Sequence, residues 1–419
     1  MTTTATPTTY WAQLLHFYQP PWQEHDVLRR IADESYRPLL RVLNEFRGAR
    51  IAVNVNAVLA EMWLDHGMGD IVDGLRELAE RDQVEFVGSG RFHPILPLIA
   101  PSLAIRSITE NAERNEASFG PVWRAQGFFP PEMAIDESTL CQARQTGHEW
   151  VAAGGIACVD EWPIHDLITV STDAGQLTML FRDDDRSNAI SFRATTAGQF
   201  VDDLSRSHGP DPAASYVFTA MDAEMFGHHI PGWEREFLAT AYERMEGECA
   251  GERRVRMVRP GELATLFPSR PGTMPRPSSW STSDRDIQEG DPFPLWKSPH
   301  NPLHTAQWEL VDTAVAIVEL ANARATDQHA TKHARRADEA LQPALQSCQF
   351  WWGNRRPMWE PELVYRGLEL LMHAVAQARR SLLSSATSDA STAESVALTT
   401  TASRLRVSIE EMLFGTPTK

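Results

Sequence analysis

Two short stretches place carboxylates where packing has no use for them. Residues 216–232 read YVFTAMDAEMFGHHIPG, an apolar run with the length and β-rich composition of a buried strand. It ends abruptly in Asp222 and Glu224, followed by a Phe-Gly turn and His228-His229. Residues 128–134 read FFPPEMA and set Glu132 behind Pro130 and Pro131, whose fixed φ restricts where the carboxylate points. Two such groups can cleave a glycosidic bond with retention, one as nucleophile and one as acid/base, when they stand roughly 5–5.5 Å apart. Glu224, two residues on, could orient groups or raise the pKa of Asp222. The plainer readings are a first-turn helix acid for Glu132 and a solvated loop for 222–229.

His16, His93 and the pair His228-His229 also follow apolar runs. Histidine and aspartate converging at strand ends can hold zinc, although none of these histidines lies in an HxxxH or HExxH spacing. A neutral imidazole bonded to sugar hydroxyls fits equally well, and simple packing accounts for any one of them alone. Thirteen tryptophans are many for this length, and most belong in a core. Trp280, Trp296, Trp351, Trp352 and Trp359 are the ones that could offer flat faces to sugar rings. Trp351 and Trp352 are adjacent, so they cannot both face one helix core.

The elements that must position these groups alternate. Apolar β-rich runs at 11–16, 49–55, 84–88, 126–130, 150–154, 216–221 and 254–258 are separated by helical patterns, with further β material at 167–170 and 177–181. About seven strand–helix repeats within 265 residues predict an α/β fold of parallel βα units. The unusual residues cluster just after the strands: His16, His93, Glu132, Asp160 and Asp222. A barrel brings such positions to one face, which an open doubly wound sheet does less readily. The expected division is a tail at 1–9, a barrel at 10–267, a Pro/Ser-rich loop or lid at 268–303, and a helical region at 304–419. Within the last, 384–401 is low in complexity and reads as a floppy connector.

A formal charge of −17 argues against nucleic acid or an anionic membrane as partner and favours a neutral or cationic small substrate. No run approaches the ~18 apolar residues of a membrane span. The segment MTTTATPTT lacks a basic region followed by an apolar core. Cys141, Cys158, Cys249 and Cys348 are widely spaced, which reads as free thiols in a reducing compartment. The expected location is the cytoplasm.

In order along the chain, these stretches resemble glycoside hydrolase family 57, the retaining α-glucan-active enzymes. Residues 16–20 (HFYQP) look like the first motif, with Tyr18 in place of a second histidine. Residues 88–98 (GSGRFHPILPL) are similar to the second, with His93 in the sugar-contacting place. Residues 129–132 (FPPE) look like the third, and Phe129 stands where tryptophan is common. Residues 222–227 (DAEMFG) match the fourth, and 347–352 (SCQFWW) look like the fifth, with Cys348 where aspartate is common. The resemblance implies an incomplete (β/α)7 barrel followed by a C-terminal α-helical bundle, with no cofactor or metal requirement. It implies Glu132 as nucleophile and Asp222 as acid/base, acting on starch, glycogen or maltooligosaccharides. His16, Gln19, His93, Phe129, Glu224, Trp280, Trp351 and Trp352 are the expected substrate contacts. Alternatives within the family are a 4-α-glucanotransferase or a branching enzyme. Outside it stand a metal-dependent polysaccharide deacetylase and a non-catalytic glucan-binding protein.

Overall fold

The computed structural model describes residues 8–162, 164–207, 214–247, 254–385 and 389–415. Most of the tail expected at 1–9, and Cys249, lie outside the described residues, while Thr8 and Thr9 already belong to the first strand. The chain divides into two compact units, one comprising residues 1–91 and 100–280, the other 92–99 and 281–419.

The first unit is built on ten strands: β1 (Thr8–Phe17), β2 (Ile51–Val55), β3 (Val84–Gly88), β4 (Gly127–Phe128), β5 (Trp150–Ala153), β6 (Leu167–Thr172), β7 (Gly175–Phe181), β8 (Ala214–Asp222), β9 (Val255–Val258) and β10 (Ser269–Pro271). They run in the order β10-β6-β7-β5-β4-β3-β2-β1-β8, and β9 also pairs with β1. All pairings are parallel except the β6–β7 hairpin, which interrupts the expected alternation. Among the described residues β8 and β10 do not meet, so the barrel stays unclosed. Strands buried on both faces read as continuous apolar runs, and every residue of β2 and β5 is buried. The connecting helices show the complementary period. In Gly69–Glu80, Ile71, Leu75 and Leu78 are buried on one stripe.

Inward side chains alternate along each strand. Ala12 and Leu14 of β1, Ala52 of β2, Val87 of β3, Ala152 of β5, Leu180 of β7, and Phe218 and Ala220 of β8 form the apolar filling. This layered interior is a packed core rather than a pore.

The second unit is helical, with Pro302–Arg324, Gln328–Ala344, Pro361–Ser384 and Asp389–Phe414 as its long members. Here the reading of 384–401 as a floppy connector is corrected, because the chain is helical from Asp389 onward. Ser395, Ala402, Ile409 and Leu413 are buried at spacings of 7, 7 and 4. The small residues in this stripe disguise its helical period. The 268–303 segment holds β10 and a capped helix, Asp284–Glu289, and Trp296 is fully buried, in the core rather than on a surface. Among the described residues no helix is long and apolar enough to cross a membrane.

Candidate active site

Continuing each inward column by one step leads from the apolar filling to a polar layer. Past Leu14 comes His16, past Ala52 comes Asn54, past Leu180 comes Arg182, and past Ala220 comes Asp222. The register pairs His16 with Asn54 on one side and with Asp222 on the other, so the layer is level. Asn54 donates its amide to the Val87 carbonyl at 3.0 Å, which turns its Oδ1 towards His16 Nδ1 at 2.7 Å. The network therefore assigns the proton to Nδ1. Burial lowers the His16 pKa to about 4 against the opposing pull of Asn54, so the ring is neutral at ordinary pH. His16 stacks on Phe129 with centroids 4.6 Å apart, and Trp280 meets both rings edge-on at 6.2 and 5.6 Å.

Glu132 follows β4 across a turn with an imposed backbone. The Phe129 N–H donates to the Gly88 carbonyl at 2.8 Å, and after Pro130 and Pro131 both Glu132 (φ 59°) and Met133 (φ 49°) are left-handed. Such a conformation costs a non-glycine residue about 1–3 kcal/mol and persists only where neighbours hold it. The holding contacts come from 278–280: Ile135 and Ser278 exchange backbone hydrogen bonds, and the Trp280 N–H donates to the Glu132 carbonyl at 3.1 Å. The Trp280 indole N–H then donates to Glu132 Oε2 at 2.8 Å.

Asp222 ends β8, and the turn after it is set by Gly227 (φ 109°). A Cβ there would stand 1.9 Å from the Glu34 carbonyl oxygen, so only glycine lets the turn close on 34–36. Ser35 Oγ donates to the Ala223 carbonyl at 3.0 Å, and Tyr36 follows directly. The Tyr36 hydroxyl donates to Glu224 Oε1, which also accepts from Gln19 Nε2 at 3.1 Å.

Three carboxyls thus share one region. Burial, reinforced by the charge of Asp222, pushes Glu132 up to about 8, against the Trp280 bond. Burial raises Asp222 to about 6, and Arg182 acts in the other direction. Glu224 rises to about 8 through burial and Asp222, opposed by Tyr36 and Gln19. Glu132, Asp222, Gln19 and Trp280 keep partial solvent contact, while His16, Asn54, Phe129, Arg182, Tyr36 and Glu224 are buried. The groups suited to meet a substrate are open, and those suited to hold them are not.

Of the expected site residues, His16, Gln19, Phe129, Glu132, Asp222, Glu224 and Trp280 come together in the first unit. His93, Trp351 and Trp352 belong to the second. There His93 is left-handed (φ 59°), its Nδ1 lies 2.8 Å from Ser347 Oγ, and its carbonyl accepts from the Ser347 N–H. Trp351 and Trp352 are half-buried and nearly perpendicular, at 81°. Asp160 does not join the cluster as expected: it lies 3.5 Å from Arg270 and accepts from the Thr273 N–H. His228 is drawn off to Glu34 at 2.6 Å. Among the described residues no group of three His, Cys, Asp or Glu side chains could hold a metal ion. Arg182 and Tyr36 were not singled out from the sequence. The period-2 continuation of Leu180 points to Arg182, whereas Tyr36, on a helix, carries no such signal.

The family model for glycosyl hydrolase family 57 matches residues 8–272. The chain belongs to this family. It is 24% identical over 238 residues to an α-amylase of Pyrococcus abyssi, covering 54% of this chain and 35% of that protein. It is 25% identical over 238 residues to a 4-α-glucanotransferase of Thermococcus litoralis, with the same shares. The chain therefore spans only about a third of the length of these two relatives. The crystal structure of a family 57 branching enzyme from Pyrococcus horikoshii superposes with a TM-score of 0.68 at 15% identity, covering 97% of this chain and 96% of that one. At that identity the likeness speaks to the fold, an incomplete (β/α)7 barrel with a C-terminal helical region.

Proposed function

We propose that the chain is a retaining α-glucan-active glycoside hydrolase, with Glu132 as nucleophile and Asp222 as acid/base. The observation that carries this reading is that Glu132 feels the charge of Asp222 within one polar layer at the carboxyl ends of the barrel strands. Family membership and relatives named as α-amylase and 4-α-glucanotransferase support the substrate class. In the first step Glu132 attacks the anomeric carbon while the Asp222 carboxyl gives its proton to the departing glycosidic oxygen. In the second, Asp222 takes a proton from water or an acceptor hydroxyl, which attacks the same carbon and frees Glu132. His16, Gln19 and Glu224 hold sugar hydroxyls, Phe129 and Trp280 supply ring surface, and His93, Trp351 and Trp352 are contacts from the helical unit. The barrel at 10–267 carries the chemistry. With −17 charge and three described cysteines unpaired, the chain acts in the cytoplasm on a neutral glucan, apart from nucleic acid and membranes.

The acidity order in the free protein is the reverse of these roles, because Glu132 holds its proton more tightly than Asp222. The proton must therefore shift to Asp222 as substrate enters, or the roles are exchanged. Azide rescue separates the two. With these roles, Glu132→Ala forms a β-glycosyl azide and Asp222→Ala an α-glycosyl azide; the opposite pair of products exchanges them. The function itself is tested on a maltooligosaccharide ladder. Shorter products alone mean hydrolysis, longer ones 4-α-glucan transfer, and new branch points branching. Glu132→Gln should abolish all of these with folding intact, and unchanged cleavage by that variant ends the proposal.

A further inference from the structure

Arg182 sits one residue past β7 and is only 4% exposed. A guanidinium does not escape burial by losing its proton, so it must be matched by partners. Nη1 donates to Asp184 Oδ1 at 2.6 Å and Nη2 to Asn188 Oδ1 at 2.9 Å. Nε reaches further, to the Ala220 carbonyl at 2.8 Å, two residues before Asp222. That bond matters because β8 is the terminal strand of the sheet, with β1 as its ladder partner. On its outer edge the Phe218 carbonyl is taken by the Asp183 N–H at 2.8 Å and the Ala220 carbonyl by Arg182. These two contacts stand in for a missing strand. The guanidinium carbon also lies 5.9 Å from the centroid of the Trp280 ring, within cation–π range, and Trp280 is the donor to Glu132.

We propose that Arg182 is a positioning residue for both carboxyls, gripping the strand that ends in Asp222 with one edge and backing the indole that orients Glu132 with its face. The inference rests on the glycosidase reading above. Its electrostatic part is independent of turnover. The groups acting around Asp222 are His16 from β1, Glu132 from the turn after β4, and Glu224 and Tyr36, and Arg182 is the cation that favours its ionised form. Lysine would keep the charge without the planar fork, and methionine would keep only part of the stem.

The experiment pairs kinetics with labelling of Asp222 by a water-soluble carbodiimide, which reacts with protonated carboxyls, followed across pH by peptide mass mapping. Arg182→Met should lower kcat by at least about tenfold while KM stays within about twofold, as expected for lost geometry rather than lost binding. Its Asp222 labelling should persist to higher pH than in the parent. Arg182→Lys should lose kcat yet keep the parent labelling profile. Parental kcat in both variants, or an unmoved labelling profile in Arg182→Met, overturns the role. Should Arg182→Met not fold, as read by circular dichroism, Arg182→Lys decides alone: parental kcat overturns the role. Full activity in Glu132→Gln would sink the glycosidase reading, and the labelling arm would still judge Arg182.

Discussion

The inward columns of the barrel carry acids at both ends, and the two ends treat them differently. Near the start of β3, Glu85 lies on the same side of the strand as core residue Val87, and burial raises it to about 7. It is one carboxyl with dedicated partners: the Gly261 N–H donates to it at 2.9 Å, and the nearby Arg259 is itself paired with Asp82 and Glu262. A cavity of about 500 Å³ opens there, lined by Glu85, Gln126, Arg259 and Glu262 among others. At the other end Glu132, Asp222 and Glu224 share Arg182, two residues are held left-handed, and three rings meet edge to face. Raised acidity and open volume occur at both ends. What separates them is like charge gathered without full compensation, on a backbone held in place by distant segments.

The sharpest way to break this comparison is to neutralise one acid at each end. Asp222→Asn should cost about 10²–10⁴ in kcat, the range of a lost general acid/base, whereas Glu85→Gln should stay within about twofold of the parent. Equal losses would erase the distinction. A smaller effect is expected from Trp280→Phe, which keeps a ring but removes the N–H that stabilises ionised Glu132. Its kcat should fall by about tenfold, and the acidic limb of its pH–rate profile should move to higher pH. An unmoved limb would detach Trp280 from the acidity of Glu132.

Stability should move least, and in opposite senses across pH. A carboxyl whose folded pKa is raised favours folding fully below its unfolded value, near 4.5 for glutamate, and loses that contribution as pH rises through about 8 for Glu132 and about 7 for Glu85. Both Glu132→Gln and Glu85→Gln should therefore melt higher than the parent at pH 8 and alike at pH 4. Thermal melts at the two pH values would check this. A lower melting temperature at pH 8 for either variant would mean that its carboxylate is held by bonds stronger than the cost of burying it.

Much of this arrangement was legible in the chain, for identifiable reasons. Parallel βα order followed from runs such as 51–55 and 84–88, because strands buried on both faces leave no polar interruption. Asp222 and Glu132 stood out because each ends such a run. The β6–β7 hairpin was not legible as antiparallel, since two short apolar runs do not reveal their relative direction. The helix over 389–401 was hidden by Ser, Thr and Ala, which supply little hydrophobic contrast. Arg182 was overlooked because an arginine after a strand reads as surface, and its burial depends on Ala220, 38 residues away. The bond from Tyr36 to Glu224 spans 188 residues and no local pattern could announce it.

The 148-residue separation between Glu132 and Trp280 has a consequence for how the protein is made. A ribosome that has released the first 272 residues has delivered the whole span matched by the family model, both proposed catalytic acids included. It has not yet delivered the tryptophan whose main chain and indole hold Glu132 in its unusual conformation. Competence would then arrive late in synthesis, and a nascent barrel would carry its acids for a time without the clamp that aims one of them.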